Sequence, residues 1–152
     1  MTLRKILKNQ EKKRYKTLIF LVSLENSELS TINEVFKKEK YDFIDIVEEI
    51  KKGNFDLEKF NLEKLNYLKL YFNSKKIVSN LMIVNNIEIL ISMLEEKEYD
   101  NFIYQLSYDN FTDSEKNQTI FLMTDILKFQ KIDLKNEDDE SKRIHKIEKI
   151  KL

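Results

Sequence analysis

The chain of 152 residues contains no proline, no cysteine and a single glycine. Without cysteine it has no disulfide, no thiolate metal site and no thiol nucleophile. Antiparallel sandwiches and barrels need many tight turns, which glycine and proline normally supply, so these architectures are disfavoured. Helices joined by short polar loops are the most economical interpretation of such a composition.

Histidine and glycine are too scarce for two common kinds of site. His145 is the only histidine, so a zinc site built from several His or Cys ligands is excluded. The one glycine, Gly53, follows Lys51-Lys52 and is predicted to end a helix, so it cannot form a glycine-rich phosphate loop. No motif indicates a metal or cofactor, and we expect none.

No segment is a convincing membrane span. The most apolar region, 77–94, contains three Asn residues and Glu88, and burying that Glu in a bilayer would cost about 2.5 kcal/mol or more. We therefore expect a core helix there. The N-terminal region lacks the apolar run and cleavage site of a signal peptide, and a cytoplasmic location is expected.

The remaining composition is that of a folded protein. Hydrophobic residues make up 41% of the chain and charged residues 36%, and there are ten Phe and seven Tyr. This length can bury a sizeable core, so a single domain covering 1–152 is expected. The excess of Lys over Arg, with abundant Asn and Ile, is typical of an AT-rich bacterial or phage genome.

Apolar residues at helical spacing predict an all-α fold: a compact bundle of six to eight helices with orthogonal or mixed packing. The predicted helices cover 3–24, 31–36, 42–52, 55–72, 77–94, 99–108, a segment starting near 112, and 136–152. Residues 1–12 could instead be a mobile basic arm. Within 77–94, a hairpin over 81–91 with a turn at Asn85-Asn86 is the alternative to a helix. The segment 136–152 is expected to be a charged C-terminal helix.

The most distinctive feature is a cluster of positive charge near the N-terminus of a chain whose net charge is zero. Its seven basic residues are Arg4, Lys5, Lys8, Lys12, Lys13, Arg14 and Lys16. Like charges spaced along one helix destabilise it unless an anion compensates. RNA or single-stranded DNA could supply that anion through its backbone, and so could an acidic protein surface. These residues are the candidate site for an anionic partner.

Two further groups of side chains, aromatic residues and carboxylates, are of a kind found in binding or catalytic sites. The aromatic residues Tyr104, Tyr108 and Phe111 are candidates for a protein interface, where such side chains often anchor binding. The carboxylates at 48–49, 95–96 and 137–140 lie beside lysines and outside the apolar stripes. Solvated helix faces explain them better than a catalytic site, which needs burial to tune its pKa values.

These observations predict a non-enzymatic binding protein that acts through protein–protein contacts, as an adaptor, an assembly subunit or a phage-type inhibitor. The alternative is a small subunit of a ribonucleoprotein complex that contacts the nucleic-acid backbone through the basic segment. A carboxylate-dependent enzyme ranks third. Neither the partner nor the oligomeric state can be read from the sequence.

Overall fold

The protein is an α/β protein built on a five-stranded, fully parallel sheet. The computed structural model describes residues 1–23, 29–108 and 118–151, the side chains of 29–31 excepted. The strand order is β2-β3-β4-β1-β5. The prediction of an all-α bundle is therefore wrong.

Each strand is followed along the chain by at least one helix. In order, the helices and strands are α1 (Leu3–Glu11), β1 (Thr17–Val22), α2 (Leu29–Phe36), β2 (Asp42–Asp45), α3 (Ile46–Lys51), α4 (Leu57–Glu63), α5 (Leu65–Ser74), β3 (Leu81–Asn85), α6 (Glu88–Ile91), α7 (Glu96–Tyr108), β4 (Gln118–Thr124), α8 (Leu127–Gln130), β5 (Ile144–Lys146) and a 3-10 helix (Ile147–Lys149).

The three central strands are apolar on both faces because helices cover both sides of the sheet. Alternate residues of each strand belong to two different cores. On β1, for example, Leu18 and Phe20 join one core while Ile19 and Leu21 join the other. Parallel strands buried in this way consist of nearly continuous apolar runs rather than alternating ones.

The connections divide the helices between the two faces. Buried residues of α1, α2 and the 3-10 helix pack in one core, and those of α3 to α8 pack in the other. The chain therefore leaves β1 over one face, towards the distant strand β2, and leaves β2, β3 and β4 over the opposite face. At the neighbouring strands β1 and β4, the connections depart in opposite directions, which is the usual place for a ligand crevice in such sheets.

Five of the eight predicted helices contain a strand: those over 3–24, 42–52, 77–94 and 136–152, and the segment starting near 112. The first, 3–24, ends at Glu11, and β1 follows. The apolar segment 77–94 is β3, then Asn86 at a φ of 61°, then the short helix α6, so neither the long helix nor the hairpin forms. In the segment starting near 112, residues 112–117 lie outside the described residues, and β4 follows at 118–124. In each case a short apolar run fits a buried strand as well as a buried helix.

The C-terminal prediction is also corrected. The predicted charged helix over 136–152 is wrong, because the described residues 136–151 contain a turn, β5 and the 3-10 helix. At the other end, the segment considered as an arm contains α1, whose Leu3 and Ile6 are buried in the core.

Other helix predictions are confirmed. The structure has helices over 29–36, 57–74 (with a break at Lys64) and 96–108. Gly53 follows α3 at a φ of 77°, the left-handed conformation expected of a glycine just past a helix end. The N-cap of α3 is Asp45 rather than Asp42, because 42–45 forms β2.

A fully buried arginine joins three parts of the fold. The guanidinium of Arg143 donates hydrogen bonds to four backbone carbonyls, which are Thr17 (3.1 Å), Leu106 (3.2 Å), Ser107 (2.8 Å) and Lys135 (3.2 Å). It also lies 5.1 Å from the centre of the Tyr15 ring. Burial lowers the pKa of Arg143 to about 10, which leaves it charged at neutral pH. This side chain ties the start of β1 to the end of α7.

Candidate functional site

The carboxyl edge of a parallel sheet is the usual place for an active site, and several polar side chains lie there. Asp45, at the end of β2, accepts hydrogen bonds from the backbone N–H groups of Val47 (2.9 Å) and Glu48 (3.4 Å). The side-chain amide of Asn86 donates to both Asp45 oxygens, at 3.0 and 3.1 Å. This carboxylate therefore caps α3 and fixes the turn after β3.

The carboxylates beside β4 are engaged in the same way. Glu88 accepts hydrogen bonds from the backbone N–H (2.7 Å) and the hydroxyl (3.2 Å) of Thr124. Asp125 accepts one from the Gln130 amide (2.7 Å) and lies 3.7 Å from the ammonium of Lys146. At this edge, in the part of the chain that the structure describes, these acidic groups hold the loops in place.

The other carboxylate pairs have structural partners or lie in solvent. Glu49 is largely buried and accepts hydrogen bonds from Lys75, Asn54 (2.8 Å) and Tyr71 (3.0 Å). Burial alone would raise the pKa of Glu49, but these bonds outweigh it and lower the pKa below its usual range. A carboxylate held ionised in this way is unsuited to act as a general acid.

Within residues 1–23, 29–108 and 118–151, no group of three or more His, Cys, Asp or Glu side chains is arranged to hold a metal ion. His145 lies on β5, with its ring edge-on to Phe20 at 5.8 Å between ring centres. Burial lowers the pKa of His145, so the neutral ring is favoured.

The structure divides the basic segment into two parts. The first part is held by the chain's own acidic turn, residues 137–140. The ammonium of Lys13 lies 2.8 Å from Asp138 and 2.7 Å from Asp139, while the Arg14 guanidinium lies 3.5 Å from Glu137. The hydrogen bonds to Asp138 and Asp139 raise the pKa of Lys13, and the bond from Lys13 lowers that of Asp139. The compensating anion predicted for this half of the segment is therefore intramolecular.

Buried polar contacts support this docking. The Gln10 side chain donates to the Tyr15 carbonyl (2.6 Å) and to Asn136 Oδ1 (2.8 Å), and the Asn136 amide donates back to Gln10 (3.2 Å). Lys16 donates to the carbonyls of Glu11 and Lys13. Lys13, Arg14 and Lys16 are thus engaged within the protein.

The second part of the basic segment lies on α1, whose three faces have different surroundings. Leu3, Ile6 and Gln10 are buried against the sheet. Lys5 lies on an exposed face, and Lys12, the residue directly after the helix, is also exposed. Arg4, Leu7, Lys8 and Glu11, which follow the helical spacing of one face, line a cavity of about 770 Å³. One face of α1 therefore packs against the sheet, while another face lines an open cavity.

This cavity adds cations that the sequence prediction did not include. Lys38 and Lys40, in the connection between α2 and β2, line the cavity. Val78, which precedes β3, and Leu81, the first residue of β3, line it as well. A second cavity of about 610 Å³ shares Arg4, Lys38 and Glu39 with the first and extends along α2 to Lys37 and Lys151. We call the two together the α1–α2 cleft. The sequence signal that was overlooked is the run Lys37-Lys38-Glu39-Lys40.

The cleft walls carry an excess of positive charge. Six cations line it: Arg4, Lys8, Lys37, Lys38, Lys40 and Lys151. Three carboxylates oppose them: Glu11, Glu34 and Glu39. Arg4 pairs with Glu39 at 3.4 Å and Lys37 with Glu34 at 2.5 Å.

Two of the three aromatic interface candidates are exposed. Tyr104 and Tyr108 lie one turn apart on α7, 63% and 55% exposed, with ring centres 5.0 Å apart. They lie far along the chain from the basic segment, and α7 packs in the other core. Phe111 lies outside the described residues.

No helix of the described ranges is long and apolar enough to cross a membrane. Comparison with models of protein families, with curated proteins and with solved structures finds no match.

Proposed function

We propose that this α/β protein acts by binding another protein and does not catalyse a reaction. The observation that carries the proposal is the contrast between two regions. At the carboxyl edge of the sheet, Asp45, Glu88 and Asp125 hold the fold together. The α1–α2 cleft, in contrast, presents positively charged and apolar groups to solvent. The exposed pair Tyr104 and Tyr108 offers a second surface of the kind that anchors protein partners.

A cytoplasmic location is part of the proposal and rests on the cysteine-free sequence. Roles as an adaptor, an assembly subunit or an inhibitor all fit such a molecule, and the partner would distinguish them.

The proposal is tested by purifying the protein from its own host under gentle crosslinking, with nuclease treatment. We expect one companion protein in a stoichiometric amount that survives nuclease. A clean monomer without a companion, or turnover of a small molecule by the purified protein, would contradict the proposal.

A second candidate function is binding to a nucleic-acid backbone. It is favoured by Lys5 and Lys8 on α1 and by Lys12 directly after it, which are exposed and have no ion-pair partner among the described residues. Lysines of this kind attract phosphates without reading bases. Affinity for single-stranded RNA or DNA should fall steeply with salt and be lost when all three become Glu. Lys52 directly after α3, Lys59 on α4 and Lys97 on α7 are also exposed and provide a matched control when changed to Glu.

A further inference from the structure

The α1–α2 cleft combines positive charge with exposed apolar groups. Val78 is 95% exposed at its edge, and the lining also includes the partly exposed Leu7 and the buried Leu81. A valine exposed in a cavity that is also lined by lysines gains nothing from water, whereas an apolar side chain of a partner would bury it. The cleft is therefore suited to a ligand that has both negative charges and apolar groups.

The positive charge has a defined geometry. Lys8 on α1 and Lys38 and Lys40 after α2 face the same cavity from opposite walls, without an ion-pair partner in the described ranges. The Arg4–Glu39 ion pair joins the two walls where the two cavities meet. Arg4 remains 81% exposed, so it can exchange Glu39 for an incoming carboxylate.

We propose that the α1–α2 cleft binds an acidic segment of another protein, with Lys8, Lys38 and Lys40 pairing with its carboxylates and Val78 contacting its apolar side chains. This proposal rests on the proposed function and names the surface and the chemistry of the partner.

A nucleic acid fits the cleft less well. None of its described lining residues is aromatic, so a base would find no ring on which to stack. The phosphate backbone, in turn, has no apolar group to cover Val78 or Leu7. Charge complementarity combined with apolar lining thus favours a peptide.

The test places the photoreactive residue p-benzoylphenylalanine at Val78 in one protein and at Tyr104 in another, each crosslinked in cells of the native host. Mass spectrometry then identifies the segment joined to each position. The segment joined to position 78 is synthesised as a free peptide, and its affinity is measured by fluorescence anisotropy.

We expect an acidic segment at position 78. Its peptide should bind the wild-type protein and lose about tenfold or more in affinity when Lys8, Lys38 and Lys40 become Glu, because three attractions turn into repulsions. The Lys52, Lys59 and Lys97→Glu protein should bind as the wild type does. Circular dichroism establishes that each variant is folded, and single Lys38→Ser replaces the triple variant if that fails to fold.

Other outcomes separate the two proposals. A partner joined only at position 104 overturns the cleft proposal and leaves the proposed function standing. RNA or DNA joined at position 78, or a basic or uncharged segment there, also overturns the cleft proposal. If neither position captures a protein, and no companion co-purifies, both proposals fail.

Discussion

At the scale of single residues, Arg143 is a side chain held in place from several directions. It is fully buried, forms no ion pair within 1–23, 29–108 and 118–151, and donates hydrogen bonds to four backbone carbonyls. The planar fork of arginine reaches several acceptors at once, and no other cation has that shape. From the sequence, this residue was predicted to be one of the solvated cations of a C-terminal helix, because the residues next to it along the chain give no sign that it is buried.

Arg143→Lys should destabilise the protein by about 2–4 kcal/mol, since an ammonium cannot reach all four carbonyls and leaves some unpaired. Urea unfolding at pH 7 measures this free energy. Arg14→Lys, at an arginine whose side chain is 76% exposed, is the matched control and should change stability by less than about 0.5 kcal/mol. Equal stability of the two variants would contradict the role given to Arg143.

His145 predicts a dependence on pH. Because burial lowers its pKa in the folded protein, the unfolded chain binds the proton more readily. The stability due to the neutral ring is present above the unfolded pKa of about 6.5 and is lost as pH falls below it. His145→Phe keeps a ring beside Phe20 and cannot titrate. The wild type should lose stability relative to this variant below pH 6.5, with a slope of at most about 1.4 kcal/mol per pH unit. If the free energies of unfolding of the wild type and the variant differed by the same amount at every pH from 7 to 5, this prediction would be contradicted.

At the scale of elements, α1 is fixed to the turn that follows residue 135. Gln10 and Asn136 exchange two hydrogen bonds in a buried position. Changing either to Ala leaves the other partly unpaired and should cost about 1–3 kcal/mol. The double variant should cost less than the sum of the two, which a double-mutant cycle measures by urea unfolding. Additive effects would show that the pair does not interact.

The elements also show what could be predicted from sequence. The short aromatic helix predicted over 99–108, which forms the larger part of α7, and the glycine after α3 are confirmed, because helical spacing and helix-end residues are local signals. The strands were missed for a physical reason: Leu18–Val22 and Leu81–Val84 are apolar throughout, and burial on both faces removes the alternation that marks a strand. Scarce glycine was no obstacle, since helical crossovers replace hairpins in a parallel sheet.

The candidate site was predicted only in part, and again for a physical reason. Arg4 and Lys8 were predicted as site residues. The other cations that line the same cavity, Lys38 and Lys40, lie in the connection between α2 and β2 and were not predicted. Lys13 and Arg14 are neutralised by carboxylates more than 120 residues away along the chain. Such long-range pairing depends on the fold, which was itself predicted wrongly.

At the scale of the whole molecule, the sheet order determines which parts open last. Strands β1, β3 and β4 have neighbours on both sides, whereas β2 and β5 are edges of four and three residues. In native-state hydrogen exchange, amides of β1 and β4 should exchange only by global unfolding. Those of β5 should exchange at a lower free energy of opening. Faster exchange in β1 than in α1 would contradict the topology.

The ends of the described chain meet beside the cleft: Thr2 bridges to Lys151, the Lys151 N–H donates to the Met1 carbonyl at 3.0 Å, and both Thr2 and Lys151 line the second cavity. A protein fused to either end would therefore lie next to the α1–α2 cleft and obstruct the access of a partner to it. Joining the ends with a short linker and opening the chain at the exposed turn around Gly53 would create a circular permutant. Its new ends would emerge on the opposite side of the sheet, where fluorophores or immobilisation handles leave the cleft unobstructed.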